Sequence, residues 1–259
     1  MRTKIEVRGL KKSFLSDKGP LPVVDDVSFT VGDGEFVAVV GPSGCGKSTL
    51  MNMMAGFVRP DSGAVIIDGV PRAKPNSKGI LISQQGSVFP WLTVRENLMF
   101  GLSPGSSGLN GHAGANRMEI ADHYAEIVGL KGFEDSYPHE LSGGMLKRTE
   151  LARALAVKPE ILYMDEPFSA LDALMSLRMR NELLRILAVE RHTTLLITHD
   201  VEEAIHLADR IVVLSPRPTR IQAIFEVPFT HPRKISSRAA QELRVTILGE
   251  LGVEREGPV

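Results

Sequence analysis

The residues with the clearest chemical purpose are GPSGCGKST, Gly41 to Thr49. The glycines at 41, 44 and 46 let a backbone wrap closely around an anion with its N–H groups turned inward. Lys47 can reach the β and γ phosphates of a nucleotide. Ser48 can place its hydroxyl on Mg2+, and Thr49 can bind near the α phosphate. The stretch matches G-x-x-x-x-G-K-[ST] in full, with Pro42, Ser43 and Cys45 at its variable positions. A helix opening at Lys47 adds the partial positive charge of its N-terminus.

Further groups could complete a nucleotide site. ILYMDEP (Ile161–Pro167) drives four apolar residues into a core and ends in two acids. Ligands of α/β sheets sit at that end of a strand. Asp165 is placed there to hold Mg2+ through water, and Glu166 to polarise an attacking water. THD (Thr198–Asp200) ends another apolar run, so His199 could touch a γ phosphate. ISQQ offers Gln84 or Gln85 to the metal or the water, although a glutamine pair alone is ordinary polar surface. In LSGGM (Leu141–Met145), Ser142 is a helix N-cap and the glycines leave N-terminal amides uncovered.

An α/β framework must position these residues. FVAVV (Phe36–Val40), GILIS (Gly79–Ser83), ILYMD (Ile161–Asp165) and TLLIT (Thr194–Thr198) are continuous apolar runs, as in strands buried on both faces. Ile5–Arg8 and Val27–Val31 alternate as half-exposed strands do, and AVIIDG (Ala64–Gly69) is a short strand ending in a turn. IVVL (Ile211–Leu214) and IQAIFEV (Ile221–Val227) flank PRPTR, a tight turn. Strand signals stop between residues 88 and 158, where TVRENLMFGL, RMEIADHYAEIVGL and MLKRTELARALAV predict a helical insertion. Within it, Ser103–Asn116 is rich in Gly, Ser and Asn and is expected to be a mobile surface loop. The expected division is one domain over 1–230, with a core of about 1–87 and 159–230 and a helical subdomain of about 88–158. A tail over 231–259 is partly helical (RAAQELRVTILGEL) and then frayed.

Composition narrows the function classes. The 259 residues hold 30 Lys plus Arg against 31 Asp plus Glu, which argues against a mainly electrostatic attraction to nucleic acid or anionic lipid. Cys45 is the only cysteine, so no internal disulfide forms and a reducing compartment fits. The first residues lack a signal-peptide apolar run, and no stretch approaches the ~20 apolar residues of a spanning helix. Any membrane role is therefore expected through a partner.

Taken in order, GPSGCGKST, ISQQGSVFPWLTVRENL, LSGGMLKRTELARAL, ILYMDEPFSALD and LLITHD resemble the motifs of ATP-binding-cassette (ABC) ATPase subunits, over roughly residues 4 to 230. The resemblance implies an α/β fold: a P-loop NTPase (RecA-like) core, an N-terminal antiparallel β subdomain and an inserted helical subdomain. It implies ATP and Mg2+. Phe14 would stack on adenine, although strand-end packing would also explain it. Gln84 would be the Q-loop glutamine, Asp165 the Walker B aspartate, Glu166 the catalytic glutamate, Ser169–Asp172 the D-loop and His199 the switch histidine. Ser142, Gly143 and Gly144 would be the signature motif, which in a head-to-tail dimer meets the γ phosphate bound by the other subunit.

FPWLTVRENL, the LSGGM variant, SPRPTRI and PRKISSRAAQELRVTILGEL resemble, more narrowly, the nitrate/sulfonate/taurine branch of bacterial importers. That implies a separate ATPase chain on the cytoplasmic face of the membrane, working with a permease and an extracytoplasmic binding protein. Phe89, Pro90, Trp91 and Leu92 would lie near the groove for the permease's coupling helix, with Trp91 equally readable as packing in the helical block. The alternative, a soluble ABC ATPase acting on nucleic acid or ribosomes, usually carries two cassettes or long coiled-coil insertions, and this chain has neither. A P-loop kinase or GTPase has no use for LSGG. Several positions depart from the family pattern: Met145 stands for a glutamine, Leu146 and Lys147 for the usual polar pair, Gln85 for an acid and Thr219 for a frequent glycine. None of these removes a catalytic group. Substrate and transport direction belong to the partners.

Overall fold

The structure is a computed structural model that describes residues 2–76, 78–84, 86–102, 114–169, 171–190 and 192–253, with backbone alone for 114–116. In chain order its strands and helices are β1 (Thr3–Ser16), β2 (Gly19–Gly32), β3 (Phe36–Val40), α1 (Lys47–Met54), β4 (Ser62–Ile67), β5 (Val70–Arg72), β6 (Gly79–Ile82), α2 (Val94–Phe100), α3 (Gly114–Ile127), α4 (Gly143–Ala156), β7 (Ile161–Asp165), α5 (Ala173–Val189), β8 (Thr193–Thr198), α6 (Val201–Leu207), β9 (Arg210–Leu214), β10 (Ile221–Glu226) and α7 (Arg238–Glu250). They fall into two units, residues 1–75 with 193–259, and residues 76–192.

The first unit holds an antiparallel sheet of order β2-β1-β4-β5. β1 and β2 form a long hairpin closing at Ser16↔Gly19. It runs well past the alternating stretches Ile5–Arg8 and Val27–Val31, because cross-strand pairing carries LKKSFLS, which has no hydrophobic period of its own. In the same unit β3 lies between β8 and β9, parallel to both, and β10 pairs antiparallel with β9 across the PRPTR turn. Every residue of β3 is buried, which is why FVAVV carries no polar position. The tail is bound to this unit. Ala240 and Ile247 of α7 are buried, Arg244 meets Glu202 of α6 at 3.0 Å, and buried Arg233 donates to the α6-end carbonyls of Ile205 and Ala208 at 2.8 and 2.6 Å.

The second unit pairs β6 and β7 in parallel and carries α2 to α5. Leu98 of α2, Ala121 and Ala125 of α3, and Leu151 and Leu155 of α4 are all buried. Thr93 and Glu96 form a capping box that fixes where α2 begins. Between 88 and 158 no strand occurs among the described residues. Gly114–Asn116, expected in the loop, instead open α3. Residues 103–113 of that expected loop lie outside the described residues, as do Gln85, Ala170 of the SALD stretch and the expected frayed end 254–259.

Two helices go beyond the sequence expectations. α5 starts at Asp172, whose carboxylate accepts from Met175 N at 2.9 Å, and buries Ser176, Met179 and Leu183 on one stripe. That cap and period are present in the sequence. α6 has only seven residues, too few to show a period.

Candidate nucleotide site

In the first unit, Val40 pairs with Thr198 of β8 and with Val213 of β9. Gly41 and exposed His199 therefore leave neighbouring parallel strands at the same end of the sheet. The loop between β3 and α1 needs its glycines. Gly44 has φ 70, and Gly46, the N-cap of α1, has φ 124. A Cβ on Gly46 would lie 2.8 Å from Val23 Cγ1 of β2, and one on Gly41 would lie 3.1 Å from Leu214 Cβ. Cys45 N donates to Pro42 O at 3.3 Å. Ser43, Gly44 and Ser48 are exposed, Pro42 and Thr49 half-buried and Cys45 buried, so the loop keeps one open side. Lys47 is buried, and its Nζ donates to Gly41 O at 2.9 Å and Pro42 O at 3.0 Å. An ammonium has three donors, so the lysine can hold the loop closed and still offer one to a phosphate.

The SPRPTRI turn buttresses this loop. Thr219 is fully buried, and its hydroxyl donates to Cys45 O. Thr219 N donates to Val23 O at 2.8 Å, and Asp25 N to Thr219 O at 2.9 Å. A threonine where the family pattern favours glycine thus bonds the phosphate loop directly. Phe14 lies on β1 opposite Leu21, 42% exposed, with Lys12 Nζ 5.5 Å from its ring centroid.

In the second unit, Ile82 of β6 pairs with Met164 of β7. Ser83–Gln84 and Asp165–Glu166 leave these parallel strands at one end, and Gln84 Nε2 donates to Glu166 Oε2 at 3.4 Å. The structure thus brings the expected glutamine and glutamate together. Asp165 is buried at the tip of an entirely buried strand. Glu166 has φ 48, a region uncommon for a residue with a Cβ. Ser169 closes the turn after it, with N and Oγ donating to Glu166 O at 3.3 and 2.9 Å.

Ser142, Gly143 and Gly144 stand at the start of α4. Ser142 Oγ accepts from Met145 N at 3.3 Å, so the backbone of Met145 makes the cap and the missing glutamine side chain does not affect it. Gly143 is exposed, and a Cβ there would meet nothing within 4 Å. These amides form an open helix N-terminus suited to an anion.

The sequence reading missed Asn97. It is fully buried in α2, its Oδ1 accepts from Phe89 N at 2.8 Å, and its Nδ2 donates to the carbonyls of Phe89, Leu92 and Thr93 at 3.2, 3.0 and 2.9 Å. It fixes the FPWLT turn that carries Trp91. The available signal was an asparagine inside a capped helix, where its propensity is poor. Arg153 of α4 approaches the same turn, its guanidinium carbon 4.9 Å from the Phe89 ring centroid. Burial pushes that guanidinium below its ordinary pKa, and the nearby Glu150 charge partly opposes this.

The ABC transporter family model matches residues 24–169. A nitrate import ATP-binding protein of Synechococcus elongatus is 41% identical over 224 residues, 86% of this chain and 81% of that protein. An aliphatic sulfonates import ATP-binding protein of Bacillus thuringiensis is 39% identical over 244 residues, 94% of each chain. Among solved structures, a dimeric bacterial ABC transporter cassette has a TM-score of 0.78 at 26% identity, covering 87% of this chain and all of that one. A post-hydrolysis state of that cassette, bound to ADP and Pi, has the same TM-score at 25% identity. The antiparallel β sheet, the parallel strands and the helical insert are those of the ABC cassette fold. The chain belongs to the ABC transporter family and is one of its ATP-binding, ATP-hydrolysing subunits.

Proposed function

We propose that this chain powers uptake of nitrate, a sulfonate, taurine or a similar small solute, as the ATPase of an importer. The observation that carries the ATP site is the loop from Gly41 to Thr49, turned at Gly46 through a backbone conformation open to glycine and exposed on one side, with Lys47 drawn across it. The solute class rests on the import proteins of Synechococcus elongatus and Bacillus thuringiensis, to which the chain is similar over most of its length. No helix among the described residues is long and apolar enough to cross a membrane. From its similarity to the import ATP-binding proteins, the chain is read as working peripherally at the cytoplasmic face, on a separate permease supplied by an extracytoplasmic binding protein. In this reading residues 1–87 and 159–230 act as the nucleotide core and 88–158 as the helical subdomain.

Each residue has a stated task. The loop amides from Gly41 to Gly46 and the Lys47 ammonium take the phosphate oxygens, with Thr49 beside the α phosphate and Phe14 against the adenine. Glu166 accepts a proton from the attacking water as it adds to the γ phosphorus, and inorganic phosphate departs from ADP. Gln84, bonded to Glu166, orients that water. His199 donates to a γ-phosphate oxygen, and a preorganised donor of this kind contributes on the order of 10²–10³ in rate. Ser48, Gln84 and Asp165 offer a hydroxyl, an amide oxygen and a carboxylate, a hard all-oxygen set that fits Mg2+. When bound, Mg2+ neutralises charge on the phosphate oxygens. Ser142, Gly143 and Gly144 meet the γ phosphate held by a second cassette in a head-to-tail dimer. Loss of the γ phosphate then removes the charge that holds the two together.

The test is Glu166→Gln. ATP binding by calorimetry should persist while steady-state phosphate release stops. Turnover at the wild-type rate would remove Glu166 from the mechanism. Uptake of labelled nitrate and alkanesulfonates in cells with and without the chain identifies the solute, and unchanged uptake of every small solute would refute the importer reading.

A further inference from the structure

Lys147 departs from the usual polar residue at its position, and the structure gives it a specific task. It forms a buried ion pair with Glu150 on α4, Nζ to Oε2 2.8 Å, with the side chains only 7% and 2% exposed. Charges so far from water persist when they are paired and their remaining hydrogen-bonding capacity is satisfied. Here that capacity is spent on one segment. Lys147 Nζ also donates to Ser83 O at 2.7 Å, and Ser87 Oγ donates to Glu150 Oε1 at 2.7 Å. Arg153, further along the same helix, donates to Ser87 O at 2.8 Å and to its Oγ at 2.6 Å. Three side chains of α4 therefore grip the chain on both sides of Gln84, and every one of these groups lies within the 76–192 unit.

We propose that Lys147 is a positioning residue: by fixing the Ser83 carbonyl from the signature helix, it holds Gln84 against Glu166. This rests on the reading of Gln84 given above. Lys147 is five residues beyond Ser142, about 7.5 Å along the axis of one continuous helix. The helix that presents Ser142–Gly144 to a phosphate thereby also sets the place of Gln84. Glu150 supplies the counter-charge that lets a lysine occupy this buried position.

Lys147→Met alone would leave the Glu150 carboxylate buried without its counter-charge. The informative variant is K147M/E150Q, which is electroneutral and whose glutamine still offers an acceptor to Ser87. Its Tm should fall only by the few degrees that the lost donor to Ser83 O costs, and its affinity for ATP should match wild type. Amide hydrogen exchange over residues 83–91, measured without nucleotide, should speed up about tenfold. Its kcat should fall about tenfold with KM unchanged, a split that general destabilisation does not produce. Wild-type exchange over 83–91, or an unchanged kcat, would overturn the proposal. Q84A serves as the control. If it lowers kcat while K147M/E150Q does not, positioning by Lys147 fails and the role of Gln84 stands. If Q84A turns over like wild type, the role of Gln84 fails and the coupling through it fails as well.

Discussion

Replacing Gly46 with alanine is the sharpest test of how the phosphate loop is built. At φ 124 the new residue would sit in a backbone region that L side chains rarely adopt. That conformation costs about 1–3 kcal/mol. The added methyl would also lie 2.8 Å from Val23 Cγ1, 3.2 Å from Thr219 Oγ1 and 3.3 Å from Val23 O. Val23 is buried on β2 and backed by the Thr219 turn, so it has little room to yield. Overpacking of this kind costs about 1–3 kcal/mol. The sum is about 2–6 kcal/mol, and at ~2–4 °C per kcal/mol for a chain of this size it lowers Tm by about 4–24 °C. Gly44→Ala is the comparison. It shares a positive φ of 70, but its Cβ meets nothing within 4 Å, so only the backbone cost of about 1–2 kcal/mol remains. Calorimetric unfolding and ATP titration of both variants decide the matter. G46A should unfold well below G44A and bind ATP at least tenfold more weakly than wild type. If G46A melted within two or so degrees of wild type and bound ATP normally, the close approach of Val23 and Thr219 would not be what requires glycine.

Gly143→Asp should leave Tm within about 1 °C, because the site is open and an acid suits a helix N-terminus. ATP-dependent dimerisation, followed by size-exclusion chromatography, should nevertheless be lost through repulsion of the γ phosphate. Persistent dimers would refute the proposed contact between subunits. Thr219→Val keeps the shape but leaves the Cys45 carbonyl without its donor, a loss of about 1–3 kcal/mol that differential calorimetry can read. An unshifted Tm would show the buttress to be idle. His231 contacts the His206 carbonyl at 3.1 Å. Burial first, and then the Arg233 charge, lower its pKa below the ordinary 6.5. The unfolded chain thus takes up the proton more readily, and stability falls as pH drops through about 6.5 and on toward the lower folded pKa. Urea midpoints should therefore fall more steeply for wild type than for His231→Gln between pH 8 and about pH 5. Parallel curves would count against this.

Much of the site was legible because its chemistry is local. GPSGCGKST needs only a buried strand before it and a helix after it, and both follow from FVAVV and KSTLMNMM. The acids after ILYM and the histidine after TLLIT announce themselves in the same way, since a run buried on both faces must end where polar residues begin. Ser142 as an N-cap needed only its own short stretch. The long β1–β2 hairpin was not legible, because LKKSFLS acquires strand structure only from its partners. Nor was the role of Thr219, which lies 174 residues from the Cys45 carbonyl it serves.

The sequence by itself therefore determined the residue types, their order and the strand ends that carry them, since periodicity and loop chemistry act over a few neighbouring residues. Only the tertiary structure decided which distant residues meet. Val40 beside Thr198, Gln84 on Glu166, Asn97 under the FPWLT turn and the Lys147–Glu150 pair on Ser83 and Ser87 all depend on it. For the buried groups, Asn97 and the Lys147–Glu150 pair, the physical reason is the same. A buried donor or charge must find its partner wherever packing brings one, and no spacing along the chain records where that is.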